Sequence, residues 1–279
     1  MLGIIRTTRK QVRALCRRHL VPGEKCTHLF LVLAMKRSGH HAFIQWLASG
    51  LDSAKHINNA VDGWEERKWQ CPRHSGGEIS YFGGAQKKTK NLIISIEDFD
   101  IEDWGRFGFE RFDTYRNAKS VTSIVFVRDF LNWTASCMKR RESQEGRDVY
   151  EALSSPYIND RKEQKSSRIE LWARQVQEFN SQKRIPNSVA VSYARWLRSK
   201  EYRGTLGIRL GIQPSESSLS EVARFGGGSS FDGVSHDGSA GSMDVLNRYQ
   251  RFLEDAEFQE LLKKNSGNIE LSKRYLLGD

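Results

Sequence analysis

Short apolar runs alternate with stretches of helical spacing along this chain. The run His28–Leu33 gives way to a turn containing Gly39, after which Ala42, Phe43, Trp46 and Leu47 recur at helical intervals. Leu92–Ile96, Val121–Val127 and Val189–Ser192 are three further runs of strand length. Leu131, Ala135 and Met138 follow Val121–Val127 at helical spacing, and Ile169, Trp172, Val176 and Phe179 share one face of a helix over Ser166–Gln182. Strand, crossover helix, strand predicts a three-layer α/β fold: a central parallel sheet flanked by helices.

The stretches between are less regular. Asn58–Gly84, rich in Gly, Trp and charge, predicts a long insertion over the sheet edge. Arg140–Lys165 is highly charged and predicts a lid or loop with a short helix. Gln213–Ser242 holds most of the C-terminal Gly and Ser and predicts a long loop; Met243–Lys264 predicts a closing helix. Residues 1–24 form a basic arm and 25–279 a single domain in this reading.

Composition narrows the partners. The 279 residues carry 44 Lys and Arg against 34 Asp and Glu, a net charge of +10, which favours anionic partners without choosing among them. No run reaches the ~18–20 apolar residues that span a bilayer. Leu2–Leu20, with Arg6, Arg9, Lys10, Arg13, Arg17 and Arg18, lacks the apolar centre of a secretory signal. It reads as a solvated terminus, or as a helix lying on anionic lipid through Ile4, Ile5, Val12, Leu15 and Leu20. Cys16, Cys26, Cys71 and Cys137 make no CxxC pair, so a reduced, cytoplasmic setting is expected. Cys26, His28, Cys71 and His74 could supply four zinc ligands, but a buried strand over Thr27–Ala34 would aim alternate side chains into the core.

The most informative segment is Leu31–His41, an apolar strand running into the basic turn Met35-Lys36-Arg37-Ser38-Gly39-His40-His41 and then a helix. Such a turn presents backbone N–H groups at a helix N-terminus, where an anion is favoured. Laid on the nucleotide-triphosphate pattern GxxxxGK[ST], Ala34 replaces the first Gly and Gly39 matches the second. His40 and His41 stand where the phosphate-bridging Lys and the Mg²⁺-binding hydroxyl belong, which disfavours a magnesium-dependent NTPase. A phosphate cradle working without metal remains.

Here the chain resembles the sulfotransferases that use 3′-phosphoadenosine 5′-phosphosulfate (PAPS), as a divergent, bacterial-type member acting on carbohydrate or lipid. Their loop has the form Lys/Arg-Ser-Gly-Thr-Thr after the first strand, and Arg37-Ser38-Gly39-His40-His41 is similar to it, with two histidines replacing the hydroxyl residues. The resemblance implies that Lys36, Arg37, Ser38, Gly39, His40 and His41 hold the phosphosulfate, with Arg37 stabilising charge on the bridging oxygen. The family also has an Arg at the end of a strand and a Ser eight positions on, both binding the 3′-phosphate; Arg128 and Ser136 match in type, spacing and context. Tyr193, ending the run Val189–Ser192, is similar to a family Tyr near the adenine. Gly227 and Ser229 lie where the family closes its nucleotide site, although its Arg-Lys-Gly signature is not reproduced.

Transfer of a sulfuryl group to a hydroxyl needs a base. Glu97, at the carboxyl end of Leu92–Ile96, is the first choice; Asp98 stands in reserve, and His40 and His56 have weaker placement. No metal is required. The expected reaction is transfer from PAPS to a hydroxyl or amine acceptor on a glycan, glycolipid or small metabolite. Its rivals are a P-loop kinase or nucleotide phosphotransferase and a non-catalytic basic binding protein on the same fold. No nucleic-acid recognition motif appears. Acceptor identity, oligomeric state and membrane contact are not legible from the sequence.

Overall fold

β1 (His28–Ala34) is the centre of the fold, and its side chains divide between two cores. In the computed structural model of this protein the described residues are 26–59, 79–82, 90–107, 117–142, 149–159, 162–223 and 228–277. Leu29, Leu31 and Leu33 join Ile94, Ile96, Val125 and Val127 in one core. Phe30, Val32 and Ala34 join Ile93, Ile124 and Phe126 in the other. Alternate side chains leave opposite faces of a strand, so an unbroken apolar run is what a strand buried on both faces requires.

The further strands are β2 (Ala54–Ile57), β3 (Ile79–Phe82), β4 (Asn91–Glu97), β5 (Ser120–Val127), β6 (Pro156–Asn159), β7 (Lys162–Ser167) and β8 (Val189–Ser192). Six of them form one sheet in the order β3-β2-β4-β1-β5-β8. Five are parallel; β3 runs antiparallel to β2 at the edge. Ala34 pairs with Glu97 on one side and Phe126 on the other, and Val127 pairs with Ser192. This register delivers the loop after β1, the acids after β4, Arg128 after β5 and Tyr193 after β8 to the same sheet edge. Ligands of open α/β sheets bind outside the carboxyl ends of the strands.

The helices are α1 (His40–Ser49), α2 (Trp104–Phe107), α3 (Phe130–Glu142), α4 (Val149–Ser154), α5 (Arg168–Ser181), α6 (Tyr193–Arg198), α7 (Lys200–Leu210), α8 (Ala256–Lys264) and α9 (Ser266–Ser272). Phe43, Trp46, Trp196 and Leu206 from α1, α6 and α7 cover one face of the sheet. Phe130, Trp133, Trp172, Val176, Phe258 and Leu261 from α3, α5 and α8 cover the other. The predicted three-layer α/β architecture with its central parallel sheet is therefore present. Ser167 caps α5 with a full capping box: its Oγ accepts from the Glu170 N–H at 3.2 Å, and Glu170 Oε2 accepts from the Ser167 N–H at 2.6 Å.

Several expectations need correction. Arg140–Lys165 is not a loop with one short helix. α3 runs on to Glu142, α4 follows, and β6 and β7 pair antiparallel into a separate two-stranded ribbon. Met243–Lys264 is not one helix. Arg248–Phe252 is a tight 3₁₀ segment, and α8 begins afresh where the Asp255 carboxylate accepts from the Phe258 N–H at 2.9 Å. Within Gln213–Ser242, Glu216–Ser220 and Ala240–Ser242 are also 3₁₀ turns. The basic arm, most of Asn58–Gly84, and Arg224 through Gly227 lie outside the described residues, as do Cys16, Cys71 and His74. No helix among the described residues is long and apolar enough to cross a membrane.

Candidate functional site

The loop after β1 reverses direction through two residues of left-handed backbone, Arg37 at φ 70° and Gly39 at φ 85°. Left-handed backbone is costly for an arginine and cheap for a glycine. A side chain at Gly39 would meet a second obstacle: a Cβ there would lie 2.9 Å from Cε2 of Tyr193. Gly39 is also the N-cap of α1, with no side-chain cap hydrogen bond. The loop thus delivers a ten-residue helix N-terminus, with its unsatisfied N–H groups, to the sheet edge beside Lys36 and Arg37.

Neighbouring strands brace the loop. Asp98, itself left-handed at φ 52°, accepts from the Lys36 N–H at 2.9 Å and donates its own N–H to the Ala34 carbonyl at 2.9 Å. Its buried carboxylate pairs with Arg168 at 3.4 Å. The Trp133 indole N–H donates to the Lys36 carbonyl at 2.9 Å, and Arg168 Nη2 donates to the same oxygen at 3.3 Å. A cation in the first turn of a helix opposes the helix dipole. Arg168, the first residue of α5, holds that place because Asp98 and the Lys36 carbonyl engage it.

On the β5 side the site is cationic. Arg128, buried at 3% exposure, donates from Nη1 to the Arg37 carbonyl at 3.2 Å and from Nη2 to the Val245 carbonyl at 2.9 Å. Its Nε is buried with no hydrogen-bond partner. Its guanidinium carbon lies 5.0 Å from the centre of the Tyr193 ring. Ser230 Oγ accepts from Arg37 Nη1 and from the Ser136 hydroxyl, each at 3.2 Å. Arg248 stands in the same region, donating to Ser229 Oγ at 2.9 Å and to Asp232 at 2.6 Å. Burial and then the charge of Arg128 hold the Arg248 guanidinium below its ordinary pKa. Tyr193 is 6% exposed, a wall between Gly39 and Arg128 rather than an open stacking platform.

On the β4 side the site is neutral. His40 Nδ1 lies 3.2 Å from Ser38 Oγ, and its Nε2 lies 3.4 Å from Glu97 Oε1. His41 Nε2 lies 2.9 Å from Asn58 Oδ1, which also accepts from the Ser95 hydroxyl at 3.1 Å. His56 Nε2 meets that same hydroxyl at 3.0 Å. Asn59 adds two ties, donating its N–H to Ser95 Oγ and accepting from the Glu97 N–H. Burial, with His41 and His56 close by, drives the His40 pKa well below its ordinary value. Burial lowers His56 to about 3 and also lowers His41. Burial and then the Asp98 charge raise Glu97 to about 7, against the pull of Lys36, Arg168 and Arg37. A neutral imidazole facing a carboxyl that readily holds a proton is a polar contact, not an ion pair.

Of the sequence candidates, Lys36, Arg37, Ser38, Gly39, His40, His41, Glu97, Arg128, Ser136, Tyr193 and Ser229 all belong to this one edge of the sheet. Gly227 lies outside the described residues. Asp98 is taken up in holding the loop. Sequence reasoning missed Asn58, Asn59, Ser95, Arg168, Ser230 and Arg248. Only Arg168 left a signal, as a cation at the wrong end of its helix.

No protein-family model and no curated protein matches the chain. Among solved structures the chain is similar to the mouse sulfotransferase SULT7A1 complexed with PAP. The identity is 11% and the TM-score 0.42, over 95% of this chain and 94% of that one. The fold assignment rests on sheet order and register, and the site on its contacts.

Proposed function

We propose that this protein transfers a sulfuryl group from PAPS to a hydroxyl-bearing acceptor. The observation that carries this reading is the meeting of Arg37, Arg128 and Ser136 from distant parts of the chain. Arg37 Nη1 and the Ser136 hydroxyl both donate to one oxygen, Ser230 Oγ. A neutral hydroxyl here occupies donors from which anionic oxygens would accept more strongly. Arg128, tied to the Arg37 carbonyl, adds a buried charge with one unused N–H. The sequence resemblance assigns these residue types to the two anionic ends of PAPS.

In the transfer, the bond between sulfur and the bridging oxygen of the 5′-phosphate breaks, and a bond from sulfur to the acceptor oxygen forms. The acceptor hydroxyl gives its proton to Glu97. Negative charge gathers on the 5′-phosphate of the departing 3′,5′-bisphosphoadenosine (PAP), where Arg37, Lys36 and the N–H groups opening α1 stabilise it. Arg128 and Ser136 hold the 3′-phosphate. A Glu97 pKa of about 7 suits a base working near neutral pH. Ser38, His40 and His41 replace the hydroxyl contacts of the resembling family with one hydroxyl, ring nitrogens and backbone N–H groups. The acceptor is a sugar hydroxyl, a lipid head group or a small metabolite.

The test is calorimetric binding of PAP in magnesium-free buffer to the wild type and to Arg128→Ala. Micromolar binding that collapses in the variant is expected. Binding of ATP that requires Mg²⁺, with no binding of PAP, overturns the reading in favour of a kinase-like activity.

A further inference from the structure

His40, His41 and Glu97 form a cluster that sulfuryl transfer does not call for. One ring nitrogen from each histidine and one carboxylate oxygen of Glu97 all lie within 4.8 Å of one another. Two donors about 2.1 Å from a shared tetrahedral ion stand about 3.4 Å apart. His40 Nε2 and Glu97 Oε1 are 3.4 Å apart. The His41 nitrogen lies within 4.8 Å of both.

His40 supplies an independent sign that something belongs there. Its side chain is 97% buried, and its Nε2, 3.4 Å from Glu97 Oε1, makes no hydrogen bond. An orphaned buried polar atom costs about 1–3 kcal/mol and is rare in folded proteins. A bound cation would remove the deficit. The surroundings also match a ligand shell. Ser38 Oγ holds the other nitrogen of His40, and Asn58 Oδ1 holds Nε2 of His41 while accepting from Ser95. Metal-binding histidines have their second nitrogen fixed in this way, which sets tautomer and ring orientation.

We propose that His40, His41 and Glu97 bind a divalent transition-metal ion of the zinc class. Two imidazoles and one carboxylate suit that class, whereas Ca²⁺ and Mg²⁺ require mostly oxygen donors. Three protein ligands leave a coordination position for water or an anion. Lys36 and Arg37 oppose the added positive charge, so the ion binds less tightly than in a closed structural site. Metal binding stands on these residues alone, whether or not the chain transfers sulfuryl groups. If it does, the ion occupies the Glu97 lone pair that would accept the acceptor's proton, and so inhibits transfer.

The rival cysteine site is weak on its described half. The Cys26 thiol donates to the His28 carbonyl at 3.0 Å, and burial pushes its pKa up to about 11. His28 is stacked on Phe30 and bonded to Thr122.

The test uses the full chain, stripped with a chelator and titrated with Co²⁺, followed by visible absorption and by Zn²⁺ competition. The expected result is saturable d–d absorption without a thiolate charge-transfer band. Asn58→Ala, which removes the support of His41 and the acceptor of the Ser95 hydroxyl without touching a ligand atom, should weaken binding roughly 10- to 100-fold. The isosteric Glu97→Gln should weaken it more, with an unchanged circular dichroism spectrum showing that the fold survives. Absence of the d–d band, a thiolate band, or unchanged affinity in Glu97→Gln overturns the proposal. Magnesium-free PAP calorimetry on chelator-stripped protein judges the transfer reading separately, so either can fail alone.

Discussion

The two sides of the Lys36–His41 loop are built on opposite electrostatic plans. Toward β5 stand Arg37 and Arg128, with Arg248 paired to Asp232 behind them and short hydroxyls from Ser136, Ser229 and Ser230. Toward β4 stand His40, His41 and His56, all shifted toward the neutral form, and a Glu97 raised to about 7. Both sides mix buried with half-buried groups, so burial alone is not what separates them. Guanidinium groups keep their charge under burial, while imidazole and carboxyl groups surrender theirs. Burial therefore makes one side a standing demand for an anion and the other a place where protons change hands. The same loop can serve both only because its own backbone is fixed by Asp98, Trp133 and Arg168.

The sharpest way to break this division is Glu97→Gln. The variant keeps the shape and removes the proton acceptor. Transfer of labelled sulfate from PAPS to an acceptor found by screening should fall about 10²- to 10⁴-fold. PAP affinity, measured by calorimetry, should change little. A matching loss of PAP affinity would place Glu97 in the nucleotide-holding side and erase the contrast.

Arg128→Ala tests the other side. Removing one partner of a buried charged contact costs about 2–5 kcal/mol, so PAP affinity should fall roughly 30- to 5,000-fold. Arg128→Lys keeps the charge and loses the fork that bonds the Arg37 and Val245 carbonyls. It should recover part of the affinity. If lysine restores all of it, charge alone holds the anion and the convergence of directed donors is incidental.

Gly39→Ala tests the hinge between the sides. The new methyl would sit 2.9 Å from the Tyr193 ring on a backbone at φ 85°. Backbone strain of this kind costs about 1–3 kcal/mol, read as a lower denaturant midpoint with an unchanged slope. An unaltered midpoint would show that the loop tolerates another course, and its role as a fixed divider would fail.

How much of this was legible in the sequence follows the same physical line. β1, β4, β5 and β8 were readable because strands buried on both faces carry near-continuous apolar runs. β2 was not, because Lys55 and His56 interrupt its four residues, although both are buried. The β6–β7 ribbon hid for the same reason, since Lys162–Ser167 holds no apolar residue. In the C-terminal segment a helical period persists across Asp255, yet that carboxylate starts a new helix. At the site, the resemblance of the loop after β1 and of the Arg-to-Ser spacing to a known family pointed to Arg37, Gly39, Arg128 and Ser136. It put Glu97 ahead of Asp98 as the base, though both end the same strand and nothing in the sequence told their contacts apart. The structure separates them by contact: Asp98 turns inward to Lys36 and Arg168, while Glu97 faces His40. Asn58, Ser95 and Ser230 carry no sequence signal, because short polar residues acquire meaning only from what folding sets beside them.

Ser230→Ala is the gentlest probe and tests whether the cationic side is already satisfied without a ligand. Its hydroxyl accepts two hydrogen bonds, both at 3.2 Å, long for hydroxyl acceptors. Losing them should change folding stability by less than about 1 kcal/mol. If this oxygen stands where a phosphate oxygen would, its removal leaves Arg37 and Ser136 without that acceptor and lets a ligand take them without displacing it. PAP should then bind as tightly as to the wild type, or slightly more so. A marked loss of affinity would make Ser230 a ligand contact in its own right, and the cationic side would be a site already assembled around its anion rather than one holding a substitute.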